Sequence, residues 1–363
     1  VFDDVRFHSY KCLADVTIEL GRMTLLVGAN ASGKSSVLDG LHLLCELGAG
    51  TPPDAVFSGL RAPGRLRTYG HADPLRIEAS TRSGLSLAVE VVEPLNAETA
   101  FVEFAPEGGG TRSSRTEVDP DDPAKFVRDL TALGLSFAVR LRLDSAQVAR
   151  FALDSKEPRV ELDGAGTAAV IAWLAEQRAP ELDAIEADLR RVVPRARRLV
   201  PERVEQKLLS FSKAPPRKLL GRQFALEMDG GAKIPADLLS EGTLLTIGLL
   251  TVLHGTPAPR LVLLDDFDRA LHPTAQKQLV ACVKDMLARQ TDLQFVCTTH
   301  SPYVLDLFEA EDVRVLRADA QGFTRARRLT EHPEWAAWKE TLKPGEFWSY
   351  VGEDWLDAPA DGG

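Results

Sequence analysis

The chain has 363 residues, 44% hydrophobic and 26% charged, an ordinary balance for a globular protein of one large domain or two. Its net charge of −10 argues against wholesale wrapping of nucleic acid, while a local basic surface stays open. The longest apolar helical run, 244–253, is too short for a bilayer, so no membrane partner is expected.

Cys12, Cys45, Cys282 and Cys297 are scattered, without C-x-x-C or metal-ligand spacing. Each lies in or beside an apolar run, as buried thiols of a reducing compartment do. No signal peptide is visible in a sequence that starts at Val1 rather than Met, and a cytoplasmic location is expected.

The first predicted elements are two strands, 5–7 and 15–20, whose apolar and polar residues alternate as in a half-exposed hairpin. A short continuous apolar strand follows at 23–27. Next comes Gly28-Ala29-Asn30-Ala31-Ser32-Gly33-Lys34-Ser35-Ser36, and then an apolar helix over 35–47. Strand, glycine loop and helix form the context in which the pattern G-x-x-x-x-G-K-[ST] binds phosphate. Gly28 and Gly33 permit a tight turn with inward-pointing N–H groups, and the helix start adds its positive dipole end. Lys34 is placed for β and γ phosphates and the Ser35 hydroxyl for Mg²⁺. Asn30, Ser32 and Ser36 complete the candidate contact set for a nucleoside triphosphate.

Residues 48–64, rich in Gly, Pro and Ala, read as a loop. Alternation over 75–105 predicts a small antiparallel sheet covering this lobe, and 107–122 reads as a mobile surface loop. Helices are predicted at 124–134, 145–154 and 165–192, with breaks at Pro158 and Pro180 and a stop at Pro194. No heptad repeat is sustained, which excludes a long coiled-coil arm. In 190–222, Arg190, Arg191, Arg195, Arg197, Arg198, Arg203, Lys207, Lys213, Arg217, Lys218 and Arg222 face only Glu202 and Glu205. Such a run is a candidate surface for nucleic-acid phosphate or an acidic partner, or a solvated face balancing acidic neighbours. Phe211 is the one aromatic inside it, so base stacking is poorly supported. The expected organisation is an N-terminal lobe at 1–50, an inserted sheet and helical region at 51–221, and a second lobe at 222–363.

The second lobe opens with a predicted hairpin, 222–228 and 232–235 around Gly230-Gly231, leading into Leu239-Ser240-Glu241-Gly242-Thr243. Ser240 is a natural cap for an apolar helix over 243–253. A capped helix beside a glycine also describes an anion site, and the residues leave both readings open. The apolar strand 260–264 ends in Asp265 and Asp266, as parallel core strands ending in ligand-binding carboxylates do. After a helix over 273–289, a second buried strand, 293–298, ends at Thr299, His300 and Ser301.

Taken in order, the phosphate loop, LSEGT, LVLLDD and TTHS resemble the ATPase heads of the ABC superfamily, nearest the RecF, SMC and OLD-like branch of AAA ATPases. Phe267 to Pro273 is similar to that branch's acidic segment with Leu-His-Pro, and Gly345 to Trp355 resembles endings of small bacterial members. The likeness covers roughly 1–50 and 222–310. It implies an α/β P-loop NTPase fold with an ABC-type head, having a mixed or parallel core sheet, an antiparallel subdomain and a helical insertion. It also implies ATP and Mg²⁺ as ligands, Asp265 holding the metal, Asp266 orienting water and His300 sensing the γ-phosphate. Ser240 and Gly242 would contact ATP held by a second copy, giving a homodimer or higher homo-oligomer of sandwiched heads.

Two departures stand out. Asp266 replaces the family's usual Glu, and no Gln precedes Gln147 to serve as the lobe-linking Gln. The function expected from the resemblance is an ATP-dependent dimerising switch in DNA repair or anti-phage defence, acting on DNA or an effector protein. A transporter ATPase subunit and an ATP-binding scaffold with little turnover are the alternatives. No carboxylate cluster follows His300, so a TOPRIM nuclease domain is not expected.

Overall fold

The computed structural model describes residues 2–49, 51–58, 61–71, 73–81, 85–91, 100–106, 114–117, 138–208 and 217–357. Alternating side chains build β1 (Phe2–Tyr10) and β2 (Leu13–Glu19) into an antiparallel hairpin, with Val5 opposite Ile18 and Phe7 opposite Val16. Every residue of β3 (Met23–Val27) is buried, as its unbroken apolar run requires. Helix α1 (Lys34–Gly48) follows the phosphate loop directly. The Gly- and Pro-rich segment beyond it, predicted as loop, contains the one-turn helices Pro53–Val56 and Pro63–Leu66.

Strands β4 (Leu75–Thr81), β5 (Leu85–Val91), β6 (Ala100–Pro106) and β7 (Ser114–Glu117) do not form a separate sheet. β4 pairs with β1, giving one antiparallel sheet in the order β2-β1-β4-β5-β6-β7. β7 lies inside the stretch 107–122 predicted as a loop, because pairing with β6 supplies the order that its polar residues do not advertise. The helix predicted at 124–134 lies outside the described residues.

Strand β8 (Ala138–Leu141) precedes a segment predicted as one helix over 145–154. Asp144 caps a single turn there, Ser145–Val148, and the chain then forms β9 (Ala152–Leu153). Ladder bonds to Gly221 and Arg222 outcompete helix continuation. Helices α2 (Thr167–Gln177) and α3 (Pro180–Val192) break at Pro180. The basic segment folds as the end of α3 and a long hairpin, β10 (Ala196–Leu208) and β11 (Arg217–Met228), with β12 (Lys233–Pro235) on the far side of β11.

Helix α4 (Glu241–Leu253) is buried from Leu244 to Leu253. Strand β13 (Leu261–Leu264), helix α5 (Pro273–Arg289) and strand β14 (Gln294–Thr298) follow, then β15 (Val313–Ala318), β16 (Thr324–Arg328) and helix α6 (Pro344–Val351). β13, β14, β3 and β15 are mutually parallel, and β16 closes the order β16-β15-β3-β14-β13 antiparallel. Gln294 is fully buried and anchors the start of β14, accepting from Phe2 N and donating to the Phe2 and Gly21 carbonyls.

Two compact units emerge. One comprises Val1–Ala138, Arg260–Phe267 and Gln290–Gly363; the other comprises Val139–Pro259 and Asp268–Arg289. The first has a continuous core in which α1 (Val37, Leu38, Leu41) packs with Phe7, Ile18 and Leu263. Cys45, Cys282 and Cys297 are buried free thiols, and Cys12 is half-buried. Burial pushes Cys45 and Cys282 up to about 12. Among the described residues, no helix is long and apolar enough to cross a membrane.

Gly40 sets how closely α1 approaches the first strand, since a Cβ there would sit 2.3 Å from the Phe7 ring. Gly40→Val should therefore destabilise the protein by about 1–3 kcal/mol through overpacking, as a lower urea midpoint with an unchanged slope would show.

Candidate nucleotide site

The phosphate loop joins the end of β3 to the start of α1, and its conformation is one that glycine permits. Gly28 has φ 146° and Gly33 φ 100°. A Cβ at Gly28 would lie 2.0 Å from the Leu316 carbonyl oxygen, and one at Gly33 would lie 2.3 Å from Thr324 Oγ1. Gly33 occupies the N-cap position of α1, where no side chain takes up the helix's first N–H groups. Those groups and the dipole end are what an anion needs.

Lys34 is buried, and its Nζ donates to the Gly28 carbonyl (2.7 Å) and the Ala29 carbonyl (2.8 Å). Burial pushes its ammonium below the ordinary lysine value, while Glu353, Asp265 and Asp266 pull it back upward. Ser32 is buried under the loop, Asn30 and Ser35 are exposed, and half-buried Ser36 lies 3.6 Å from Cys12 Sγ. Thr324 at the start of β16 braces the loop from behind. Its hydroxyl donates to the Ser32 carbonyl at 3.0 Å, and its N–H donates to the Cys12 carbonyl at 2.8 Å.

The parallel sheet brings the two motif-bearing strand ends to this loop. Ser35 Oγ donates to Asp265 Oδ1 at 3.2 Å, although the residues are 230 positions apart. Thr298, the fully buried last residue of β14, donates its hydroxyl to the same Oδ1 at 2.7 Å and accepts from Asp266 N at 2.9 Å. Asp266 has φ 56°, a left-handed conformation that Asp tolerates better than most residues. Exposed His300 lies just beyond Thr298, and the intervening Thr299 is tied to Leu26 of β3 by its N–H.

Lys34, Ser35, Asp265, Asp266 and His300 thus belong to the first unit, and Ser240 and Gly242 belong to the second. Ser240 caps α4 by accepting from Thr243 N at 3.3 Å. A Cβ on Gly242 would meet the Ala270 carbonyl at 2.5 Å, and Arg269 pairs with Glu241 at 3.2 Å. The acidic turn after Phe267 therefore packs on the start of α4. Buried Gln276 fixes that turn by donating to the Asp268 and Leu271 carbonyls. Sequence reasoning passed over Thr298, Thr324 and Gln276. A hydroxyl ending an otherwise apolar core strand was the visible signal for Thr298.

The basic segment is less bare than its composition suggests. Arg191 pairs with Asp188 and Asp285, Arg197 with Asp229, Arg203 with Glu176, and buried Arg222 with Asp154 and Glu176. All five of those carboxylates, Asp154, Glu176, Asp188, Asp229 and Asp285, lie outside 190–222. Arg195 and Arg198 are exposed.

Residues 106–306, more than half of the chain, match the family described as "AAA domain, putative AbiEii toxin, Type IV TA system". The chain belongs to this AAA family. Among solved structures, an SMC head bound to the C-terminal winged-helix domain of ScpA matches with TM-score 0.59 at 12% identity, covering 90% of this chain and 96% of that one. An SMC head with an extended coiled coil, bound to a ScpA domain derived from Pyrococcus furiosus, gives 0.58 at 12%, covering 93% and 98%. The SMC head domain from Thermotoga maritima gives 0.50 at 12%, covering 90% and 98%. No curated protein matches. At this identity the likeness establishes fold: this AAA member has the ABC-type P-loop architecture of an SMC head.

Thr298→Val keeps the shape of the buried side chain but removes both hydrogen bonds at the carboxylate pair. Leaving the Asp266 N–H and one Asp265 oxygen short of a partner should cost about 1–3 kcal/mol, measured as a lower unfolding free energy in denaturant.

Proposed function

We propose that the chain is a Mg²⁺-dependent ATPase that works as an ATP-dependent dimerising switch. The carrying observation is the 3.2 Å contact between Ser35 Oγ and Asp265 Oδ1, which joins the phosphate-loop hydroxyl to the first carboxylate of β13. Both are oxygen donors of the kind Mg²⁺ prefers. The glycine cradle, whose positions leave no room for a Cβ, fits an approaching phosphate backbone-first. Mg²⁺ when bound neutralises phosphate charge. The remaining work belongs to the chain: Lys34 holds the terminal phosphates with the help of Gly28, Asn30, Ser32, Gly33 and Ser36. Asp266 orients the attacking water, and His300 senses the γ-phosphate.

The exposed cap Ser240, with Gly242 behind it, offers a helix start to a phosphate held by a second copy. Such a pairing is isologous, with each copy completing its partner's site. Binding ATP then favours the pair and hydrolysis loosens it, so the nucleotide sets assembly. DNA repair or anti-phage defence is the setting this suits, with DNA or an effector protein reading the paired state. Among the described residues of the basic segment, the exposed Arg195 and Arg198 are open to such a partner. A low-turnover ATP-binding scaffold is the second reading, favoured by the shorter reach of Asp266 relative to Glu.

Lys34→Ala should abolish tight ATP binding, because the loop loses its ammonium; unchanged affinity by isothermal titration would refute the assignment. Asp266→Asn should still bind ATP while turning it over poorly. With ATP and Mg²⁺ its mass by light scattering should double or rise to a multiple of the dimer, and adding Ser240→Arg should keep it monomeric. A dimer indifferent to nucleotide and to Ser240→Arg would remove the switch.

A further inference from the structure

The turn between β1 and β2 meets the phosphate loop at Ser36, where Cys12 Sγ lies 3.6 Å from Ser36 Oγ. Thr324 joins the same junction. Its N–H donates to the Cys12 carbonyl at 2.8 Å, and its hydroxyl donates to the Ser32 carbonyl at 3.0 Å. Residues 66–71 are tied to this turn by two backbone bonds: Lys11 N donates to the Leu66 carbonyl at 2.6 Å, and Thr68 N to the Ser9 carbonyl at 3.0 Å. The segment ends at His71, whose half-buried ring meets that of Phe323, the residue before Thr324. The ring centres are 4.9 Å apart and the planes stand at 86°. Between these anchors Tyr69 is 97% exposed, the most open large apolar side chain among the described residues. Three aromatic rings thus stand next to the two residues, Cys12 and Thr324, that touch the phosphate loop.

We propose that Tyr69 and His71, with Phe323 holding His71 in place, form the platform on which the base of the nucleoside triphosphate stacks. The proposal rests on the nucleotide reading above and extends it to the nucleoside, for which the phosphate loop, LSEGT, LVLLDD and TTHS supply no residue. The direction of the ligand follows from its metal. Mg²⁺ bridges the β and γ phosphates, and Ser35 with Asp265 marks that end. The nucleoside therefore leaves the loop from the other end of the phosphate chain. Ser36, whose hydroxyl contacts Cys12 rather than Asp265, marks that side, and residues 66–71 are bound to the same turn. A base needs only flat aromatic faces to stack. His71 offers a ring already fixed by Phe323, and Tyr69 offers one open to solvent. Purines overlap such rings over more area than pyrimidines, so the platform favours ATP over CTP. It adds nothing to the binding of a bare polyphosphate.

The test is isothermal titration of ATP, CTP and inorganic tripolyphosphate, each with Mg²⁺, into the full chain, Tyr69→Ala, Tyr69→Phe, His71→Ala and Lys34→Ala. Wild type should bind ATP more tightly than CTP. Tyr69→Ala and His71→Ala should each weaken ATP by roughly five- to fiftyfold and bring it toward CTP. Tripolyphosphate should bind these variants as it binds wild type, and Tyr69→Phe should keep the ATP affinity, because only the ring face is used. Unchanged ATP affinity in either alanine variant, or equal losses for ATP and tripolyphosphate, would overturn the proposal while leaving the phosphate loop assigned. If wild type binds ATP and tripolyphosphate no better than Lys34→Ala, the nucleotide reading itself fails and takes the platform with it. Tyr69 is exposed, so Tyr69→Ala spares the core, and a melting curve matching wild type separates lost stacking from misfolding.

Discussion

One buried hydroxyl holds the chemistry of this protein together. Thr298 ends β14 with no solvent contact, donating to Asp265 and accepting from the Asp266 backbone. A carboxylate so placed has its orientation fixed before any ligand arrives, which is what a metal-binding oxygen needs. The hydroxyl can do this because β13 and β14 are parallel neighbours in register, Leu264 beside Cys297, so their carboxyl ends finish together. β3 lies on the other side of β14 and delivers the phosphate loop to the same edge. Loss of any one of these pairings would separate Ser35 from Asp265.

The loop itself is preformed by packing against its surroundings. The backbone turns at Gly28 and Gly33 are closed from behind by Leu316 and Thr324, which come from β15 and β16. The outer strands, which bear no motif, are therefore structural parts of the site. Lys34 donates to the loop's own carbonyls, and Glu353, Asp265 and Asp266 offset only part of the cost of its burial.

Much of this was legible in the amino-acid order. Continuous apolar runs gave β3, β13 and β14, since strands buried on both faces need no alternation. Helical spacing gave α1 within a residue at each end, and α5 matches its predicted range, 273–289. The missed or altered elements share a physical cause: their order comes from partners distant in sequence. β7 is polar and ordered by β6, and β9 is two residues recruited by β11. β10 and β11 carry so many arginines that charge masked their alternation. Counting charge along the chain likewise could not reveal that Arg191, Arg197, Arg203 and Arg222 meet carboxylates in the fold.

The central claim is that Ser35 and Asp265 together form a metal site that operates with a nucleotide. Electron paramagnetic resonance of Mn²⁺, a common stand-in for Mg²⁺, tests it directly by counting free and bound metal with and without ATP. The account predicts tight Mn²⁺ binding that requires ATP and that fails when Ser35→Ala and Asp265→Asn are combined. Equal Mn²⁺ and ATP uptake by that double variant would contradict it.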